Sequence, residues 1–170
     1  MEQIVEQIAN KPLSELLALH VAIKDELRKR GVLRSENSPT GDLAEYLFCE
    51  AFEWKQAPNS EKGLDATDDD GKRYQIKGLR LHRRKKSRQL SAIRSLDGGD
   101  AGFDTLAAVL FNHNYEVMRA ALIPVKVVRC GAKRNAHTRS HTFLLQDKVW
   151  DVRGVIDVTE NLRRAERDMH

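Results

Sequence analysis

Asp65, Gln75 and Lys77 are the residues best suited to chemistry. They stand in the stretch Gly63 to Gly78, which reads Gly-Leu-Asp-Ala-Thr-Asp-Asp-Asp-Gly-Lys-Arg-Tyr-Gln-Ile-Lys-Gly. A carboxylate, an amide oxygen and an ammonium on one sheet suit Mg²⁺-assisted hydrolysis of a phosphodiester. That reaction needs a hard cation to neutralise the phosphate and to lower the pKa of an attacking water. Mg²⁺ takes oxygen ligands, often one or two carboxylates completed by phosphate and water. Asp65 offers a carboxylate, Gln75 its amide oxygen and Ile76 a backbone carbonyl. Lys77 suits orienting the water and stabilising developing charge. The bland alternative is an ordinary charged hairpin.

Whether these groups meet depends on the loop between the two strands, expected over about 64–68 and 72–81. A two-residue turn at Asp70-Gly71 sets Asp65 opposite Ile76, on the face away from Gln75 and Lys77. A three-residue loop, Asp69-Asp70-Gly71, pairs Asp68 with Lys72 and Asp65 with Gln75. Lys77 then lies two residues along on the same face, because side chains alternate with period two. Three-residue loops favour a type I turn followed by a left-handed residue, and Gly71 stands at that position. The expected register therefore gathers the three groups. Asp68, Asp69 and Asp70 are read as turn residues, and Gly63 and Gly78 as points where substrate approaches the backbone closely.

Charge adds a second signal. The sequence carries a net charge of +4, yet Lys72 to Arg94 holds ten Lys or Arg and no acid. The remainder holds 19 basic and 25 acidic residues, a net of −6. A basic stripe on an otherwise acidic chain attracts polyanions to one place. Arg80, Arg83, Arg84, Lys85, Lys86 and Arg88 are the expected phosphate contacts; the alternative is a solvated charged loop.

Several elements must position these groups. Pro12 to Arg30 has the apolar spacing of an amphipathic helix, with Gly31 placed to end it, and a shorter helix is expected around Ile4, Val5 and Ile8. A second long helix is expected from Gly41 to Phe52, burying Ala44, Leu47, Phe48 and Ala51, with Glu45 beside that stripe. A short strand near 54–57 precedes the hairpin, and the basic segment leads into an expected helix over 87–96. Thr105 to Phe111 reads as a strand buried on both faces. Asn112-His113-Asn114 turns it into a strand over 115–123, broken by Pro124. Residues 130–140 are read as a loop, 141–152 as one or two strands and 157–168 as a helix. Cys130, His137 and His141 are too scattered to suggest zinc. Cys49 is expected as a small buried residue.

The order acidic residue, hairpin, Gln-x-Lys resembles the PD-(D/E)xK nuclease superfamily, to which type II restriction endonucleases belong. The resemblance covers roughly residues 41–123. Gly41-Asp42-Leu43-Ala44-Glu45 matches the family's helix glutamate, which makes Glu45 a further expected metal ligand. The resemblance implies an α/β fold with a restriction endonuclease-like αβββαβ core, a mixed central sheet flanked by helices. It also implies a Mg²⁺-dependent DNA endonuclease, with Mn²⁺ a possible substitute, centred on Glu45, Asp65, Gln75 and Lys77. Leu64 departs from the family's proline, and Gln75 replaces an acid, which removes one negative charge from the metal site. The alternative is a nucleic-acid-binding protein of the same fold without cleavage.

The length of 170 residues suggests a single domain. Within it the expected parts are a helical extension over 1–40, a nuclease-like core over 41–123, and C-terminal strands and helix over 124–170. No apolar run approaches a membrane span, and the acidic start differs from a signal peptide. With only two cysteines, the expected location is the reducing cytoplasm, away from membranes. Cutting two strands would most simply use a homodimer, although no motif demonstrates one.

Overall fold

The computed structural model describes residues 2–58, 63–82, 87–94, 96–138 and 140–169, without the side chains of residues 2 and 3. The chain divides into two compact units, Met1–Asn37 and Ser38–His170. The expected core and C-terminal parts both belong to the second. Among the described residues, no helix is long and apolar enough to cross a membrane.

The first unit has two helices, α1 (Glu2–Ala9) and α2 (Leu13–Lys29). Pro12 is the N-cap of α2, and Gly31 follows its end at φ +75°, donating to the Arg28 carbonyl at 2.9 Å. Left-handed backbone just past a helix end favours glycine, which has no Cβ to clash. Lys24 and Arg28 both pair with Glu36, tying the tail of the unit back to α2.

The second unit is α/β, built on a mixed six-stranded sheet. Its elements are α3 (Pro39–Phe52), β1 (Lys55–Gln56), β2 (Ala66–Thr67), β3 (Arg73–Arg80), β4 (Thr105–Phe111), β5 (Val117–Pro124), α4 (Val125–Gly131), β6 (Lys133–Asn135), β7 (Ser140–Thr142), β8 (Ile156–Asp157) and α5 (Thr159–Asp168). The sheet order is β1-β2-β3-β4-β5-β8. Only β3 and β4 run parallel; the other neighbours are antiparallel. All seven residues of β4 are buried, as expected of a strand covered on both faces. The β4–β5 turn forms as expected, with Asn112 Oδ1 accepting from the Asn114 and Glu116 N–H groups.

Helices α3 and α5 cover one face and touch each other. Leu43, Ala44, Leu47 and Phe48 are the buried stripe of α3. Phe48, Trp54 and Tyr74 stack in sequence, with ring centroids 5.8 Å and 3.7 Å apart. Helix and sheet meet closely at Gly78: a Cβ there would lie 2.5 Å from the Thr40 carbonyl oxygen and 2.9 Å from Ala44 Cβ. Gly78 therefore admits α3, not substrate, which corrects the sequence expectation.

The opposite face is covered differently from what the sequence suggests. The expected helix over 87–96 does not form among its described residues. The Leu90 N–H donates to the Phe143 carbonyl and the Ile93 N–H to the His141 carbonyl. Leu90, Ile93 and Leu96 have helical spacing, but they reach the core from a non-helical segment, packed with Phe103, Phe143 and Leu145. Pairing with the 141–145 segment supplies the hydrogen bonds a helix would have made. Similarly, the expected 130–140 loop contains the end of α4 and strand β6.

Candidate active site

The β2–β3 hairpin has the three-residue register. Ala66 pairs with Tyr74 and Thr67 with Arg73, and the Asp68 N–H donates to the Lys72 carbonyl as the three-residue loop requires. On the other side regular pairing stops at Ala66, because the Asp65 N–H also turns to the Tyr74 carbonyl, at 2.9 Å. Gly71 has φ +77°, the left-handed geometry that the loop requires, and its N–H donates to the Asp68 carbonyl. The Asp68 carboxylate also accepts from the Lys72 N–H at 2.9 Å and the Tyr74 hydroxyl at 2.8 Å. Asp68 thus serves the turn.

On β3, residues alternate between the two faces of the sheet. Tyr74, Ile76 and Gly78 lie under α3. Gln75, Lys77 and Leu79 lie on the other side, in register with Leu106, Ala108 and Leu110 of β4. Gln75 and Lys77 therefore share a face, and Asp65 reaches this strand through its carboxylate. The Asp65 carboxylate accepts a hydrogen bond from the Ile76 N–H at 2.6 Å. Burial pushes its pKa above the usual carboxylate value, partly offset by the Lys77 ammonium and by this hydrogen bond. The Asp65 charge is therefore under-compensated, and a cation would relieve it.

Gln75 carries the second uncompensated feature. It is 4% exposed, and its Oε1 is buried with no hydrogen-bond partner among the described residues. An unpaired buried amide oxygen costs about 1–3 kcal/mol of desolvation. Gly63, at φ +84°, brings its backbone against this amide: a Cβ there would lie 3.7 Å from Gln75 Nε2. Gln75 Oε1 and the Asp65 carboxylate are both hard oxygen donors, the type that Mg²⁺ takes. Ile76 is buried in mid-strand, its N–H committed to Asp65. Among the described residues no group of three or more His, Cys, Asp or Glu side chains is arranged to hold a metal. The donor set is thus compatible with Mg²⁺ but poor in charge, and substrate phosphate and water would have to complete it.

Glu45 arrives from elsewhere. Its helix covers the Tyr74–Ile76–Gly78 face, and its Oε2 accepts from Gln56 Nε2 at 3.0 Å. Gln56 pairs with Ala66, the neighbour of Asp65. Glu45 therefore braces the outer edge of the hairpin from the side opposite Gln75 and Lys77.

Part of the basic stripe is engaged by the fold, and part lies outside the described residues. Arg83, Arg84, Lys85 and Lys86 lie outside the described residues. The Arg80 guanidinium sits 4.5 Å from the centre of the Tyr115 ring. Arg88 pairs with Asp147 at 2.7 Å, which holds the Asp147 carboxyl below its usual range. Arg73 pairs with Asp100 at 2.8 Å and Asp104 at 3.0 Å. Its side-chain hydrogen bonds lower both carboxyl pKa values, that of Asp100 to about 2. Asp104 also accepts from the Arg73 N–H, which ties the start of β4 to β3.

Sequence reading weighed His141 only as a zinc ligand and missed its pairing with Asp97. His141 is buried, with Nε2 3.1 Å from Asp97 Oδ1 and with Nδ1 lacking a hydrogen-bond partner among the described residues. Its long separation from Asp97 in sequence left no local signal of the pair.

No family model matches the chain, and no curated protein matches it. The reading of this site therefore rests on its residues.

Proposed function

We propose that this protein is a Mg²⁺-dependent DNA endonuclease with Asp65, Gln75 and Lys77 at its centre. The observation that carries this reading is the buried Gln75 oxygen, unpaired among the described residues, on the face it shares with Lys77 and beside an under-compensated Asp65 carboxylate that holds the Ile76 N–H. A sheet does not retain three such groups cheaply in a largely apolar setting. Asp65 and Gln75 would hold Mg²⁺, with Mn²⁺ able to occupy the same oxygen donors. The cation would supply charge neutralisation at a phosphate and acidify a bound water. Lys77 would orient that water and stabilise negative charge growing on the phosphate oxygens. The Ile76 N–H fixes one Asp65 oxygen and leaves the other available. Glu45 would act as a positioning residue through Gln56. The segment with Arg83, Arg84, Lys85 and Lys86 would contact the DNA backbone, with Arg80 and Arg88 at its flanks.

A second reading is a DNA-binding protein of the same fold without cleavage. The neutral Gln75 and the absence of a carboxylate cluster among the described residues favour it. One experiment separates the two. The wild type, Lys77→Ala and Asp65→Ala are incubated with duplex and single-stranded DNA, with Mg²⁺ or Mn²⁺ and with chelator. Metal-dependent cleavage by the wild type alone supports the nuclease. Salt-sensitive binding without cleavage by any variant supports the second reading. Equal cleavage by all three, or no binding at low salt, removes the first.

A further inference from the structure

We propose that the groove between α4 and the 143–152 segment binds a small amphipathic anion, an organic molecule with an apolar body and a single anionic head. This site is independent of the nuclease reading and lies wholly within the second unit. Helix α4 forms one wall. Lys126 and Cys130 stand four residues apart on it, as do Val127 and Gly131, so each pair turns to one side of the helix. The other wall is the chain from Phe143 to Val152, which includes a single 3-10 turn at Asp147–Val149. Gly131 lets the two walls close on each other, since a Cβ there would lie 2.9 Å from the Phe143 ring. The groove has a volume of about 550 Å³, within the range of small-molecule sites.

The lining identifies the chemistry of the occupant. Val127, Phe143, Leu144, Val149 and Val152 give the groove an apolar surface. Phe143 and Val149 are buried, yet Leu144 and Val152 remain 47% and 41% exposed. One exposed apolar side chain is ordinary; two that share a groove with buried apolar neighbours form a surface that an apolar body would dry. Lys126 and Lys148 enter from opposite walls. Among the described residues no acid lines the groove, and neither lysine pairs with an acid. Asp147, next to Lys148 in sequence, is already taken by Arg88 and Arg119. The site thus joins an apolar surface to two uncommitted ammonium groups, and an anionic head on an apolar body answers both. A nucleic-acid backbone would meet the lysines but leave the aliphatic lining in water. A protein partner of standard size needs roughly 20–30 residues on each side, whereas ten line this groove.

The test uses the full chain, with octanoate as the probe and octan-1-ol and octylammonium as its neutral and cationic counterparts. Isothermal titration should show one saturable octanoate site per chain. Octylammonium should bind at least about tenfold more weakly, the scale of one lost hydrogen bond to a charged group. Location is read through the two free cysteines. Cys130 lines the groove and is exposed, whereas Cys49 belongs to α3. Saturating octanoate should therefore slow iodoacetamide labelling of Cys130, followed by peptide mapping, and leave that of Cys49 unchanged. Lys126→Gln with Lys148→Gln should lower octanoate affinity at least about tenfold and leave octan-1-ol affinity unaltered, which damage to the groove would not. Leu17→Glu changes an exposed apolar residue of the first unit and should leave octanoate binding unchanged. Absence of a saturable octanoate site would overturn the proposal, as would octylammonium binding of equal strength. Unprotected Cys130, or loss of octanoate binding in Leu17→Glu, would place the anion elsewhere and overturn it too. Unchanged octanoate affinity in the double glutamine variant would remove the lysines from the site and the anion with them. Should that variant fail to fold, Cys130 protection in the wild type decides by itself.

Discussion

Strand β3 has two faces built from alternate residues, and they obey different rules. Tyr74, Ile76 and Gly78 meet α3, where rings stack and a single added methyl would strike backbone. Gln75 and Lys77 face the other way, where an amide oxygen is unpaired among the described residues, and the neighbouring Asp65 carboxylate, bound to the Ile76 N–H, is only partly compensated. One face is fixed by shape. The other carries electrostatic cost that packing does not repay. Residues retained at such a cost are candidates for function, whereas those on the shape-determined face answer to stability.

The sharpest way to break this contrast is to remove the polar group. Lys77→Ala should reduce Mg²⁺-dependent DNA cleavage by about 10²–10³-fold, the scale seen on losing a charge-stabilising group. Its urea midpoint should stay close to that of the wild type. Unaltered cleavage, or unfolding in place of inactivity, would erase the distinction between the faces. Gly78→Ala should do the reverse. Overpacking against Thr40 and Ala44 should cost about 1–3 kcal/mol in urea denaturation. Cleavage by the fraction still folded should persist unless α3 shifts the hairpin.

Titration provides a finer test. The folded-state pKa of Asp65 is raised, so its charge opposes folding at neutral pH, and this penalty disappears as pH falls through that pKa. Asp65→Asn keeps an oxygen for the Ile76 N–H, so it should raise the thermal midpoint at pH 7 while abolishing cleavage. That gain should shrink through the acidic carboxylate range. Asp104 has a lowered pKa, so its contribution is present above the ordinary aspartate value and lost as pH falls toward the folded one. Asp104→Asn should therefore lower the midpoint at pH 7, with the deficit narrowing in acid. Shifts of the same sign in both variants would show that the two carboxylates do not differ as described. The smallest expected effect belongs to Gln56→Ala. Loss of its bond to Glu45 should cost about 0.5–1.5 kcal/mol in denaturation. It should slow cleavage far less than Lys77→Ala does. A comparable loss of cleavage would instead draw Glu45 into the metal set.

Much of the hairpin was legible because its cause is local. Gly71 in a three-residue loop leaves few backbone choices and sets the pairing of Thr67 with Arg73 and Ala66 with Tyr74; the irregular Asp65 N–H to Tyr74 carbonyl bond beyond it had no signal in the alternation. Strand β4 was equally legible, since a continuous apolar run bounded by polar turns has few other uses. Segment 87–96 was misread for an instructive reason. Leu90, Ile93 and Leu96 repeat like helix residues, but their backbone partners lie some fifty residues away in sequence, at Phe143 and His141. Helix α4 hid behind Pro124, which ends β5 and also serves as the N-cap of the helix.

By itself the sequence determined the hairpin register, the fully buried strand, the amphipathic N-terminal helices and the concentration of positive charge. Those properties follow from steric limits on neighbouring residues and from local periodicity. Tertiary structure alone decided which positive charges are already answered. Arg73 and Arg88 belong to a run with no acid of its own, yet folding brings Asp100, Asp104 and Asp147 to them. It also decided that α3 covers the Gly78 face and leaves Gln75 Oε1 unpaired among the described residues on the other. Coulomb interaction and desolvation depend on distance in space, and a linear sequence fixes that distance only within a turn.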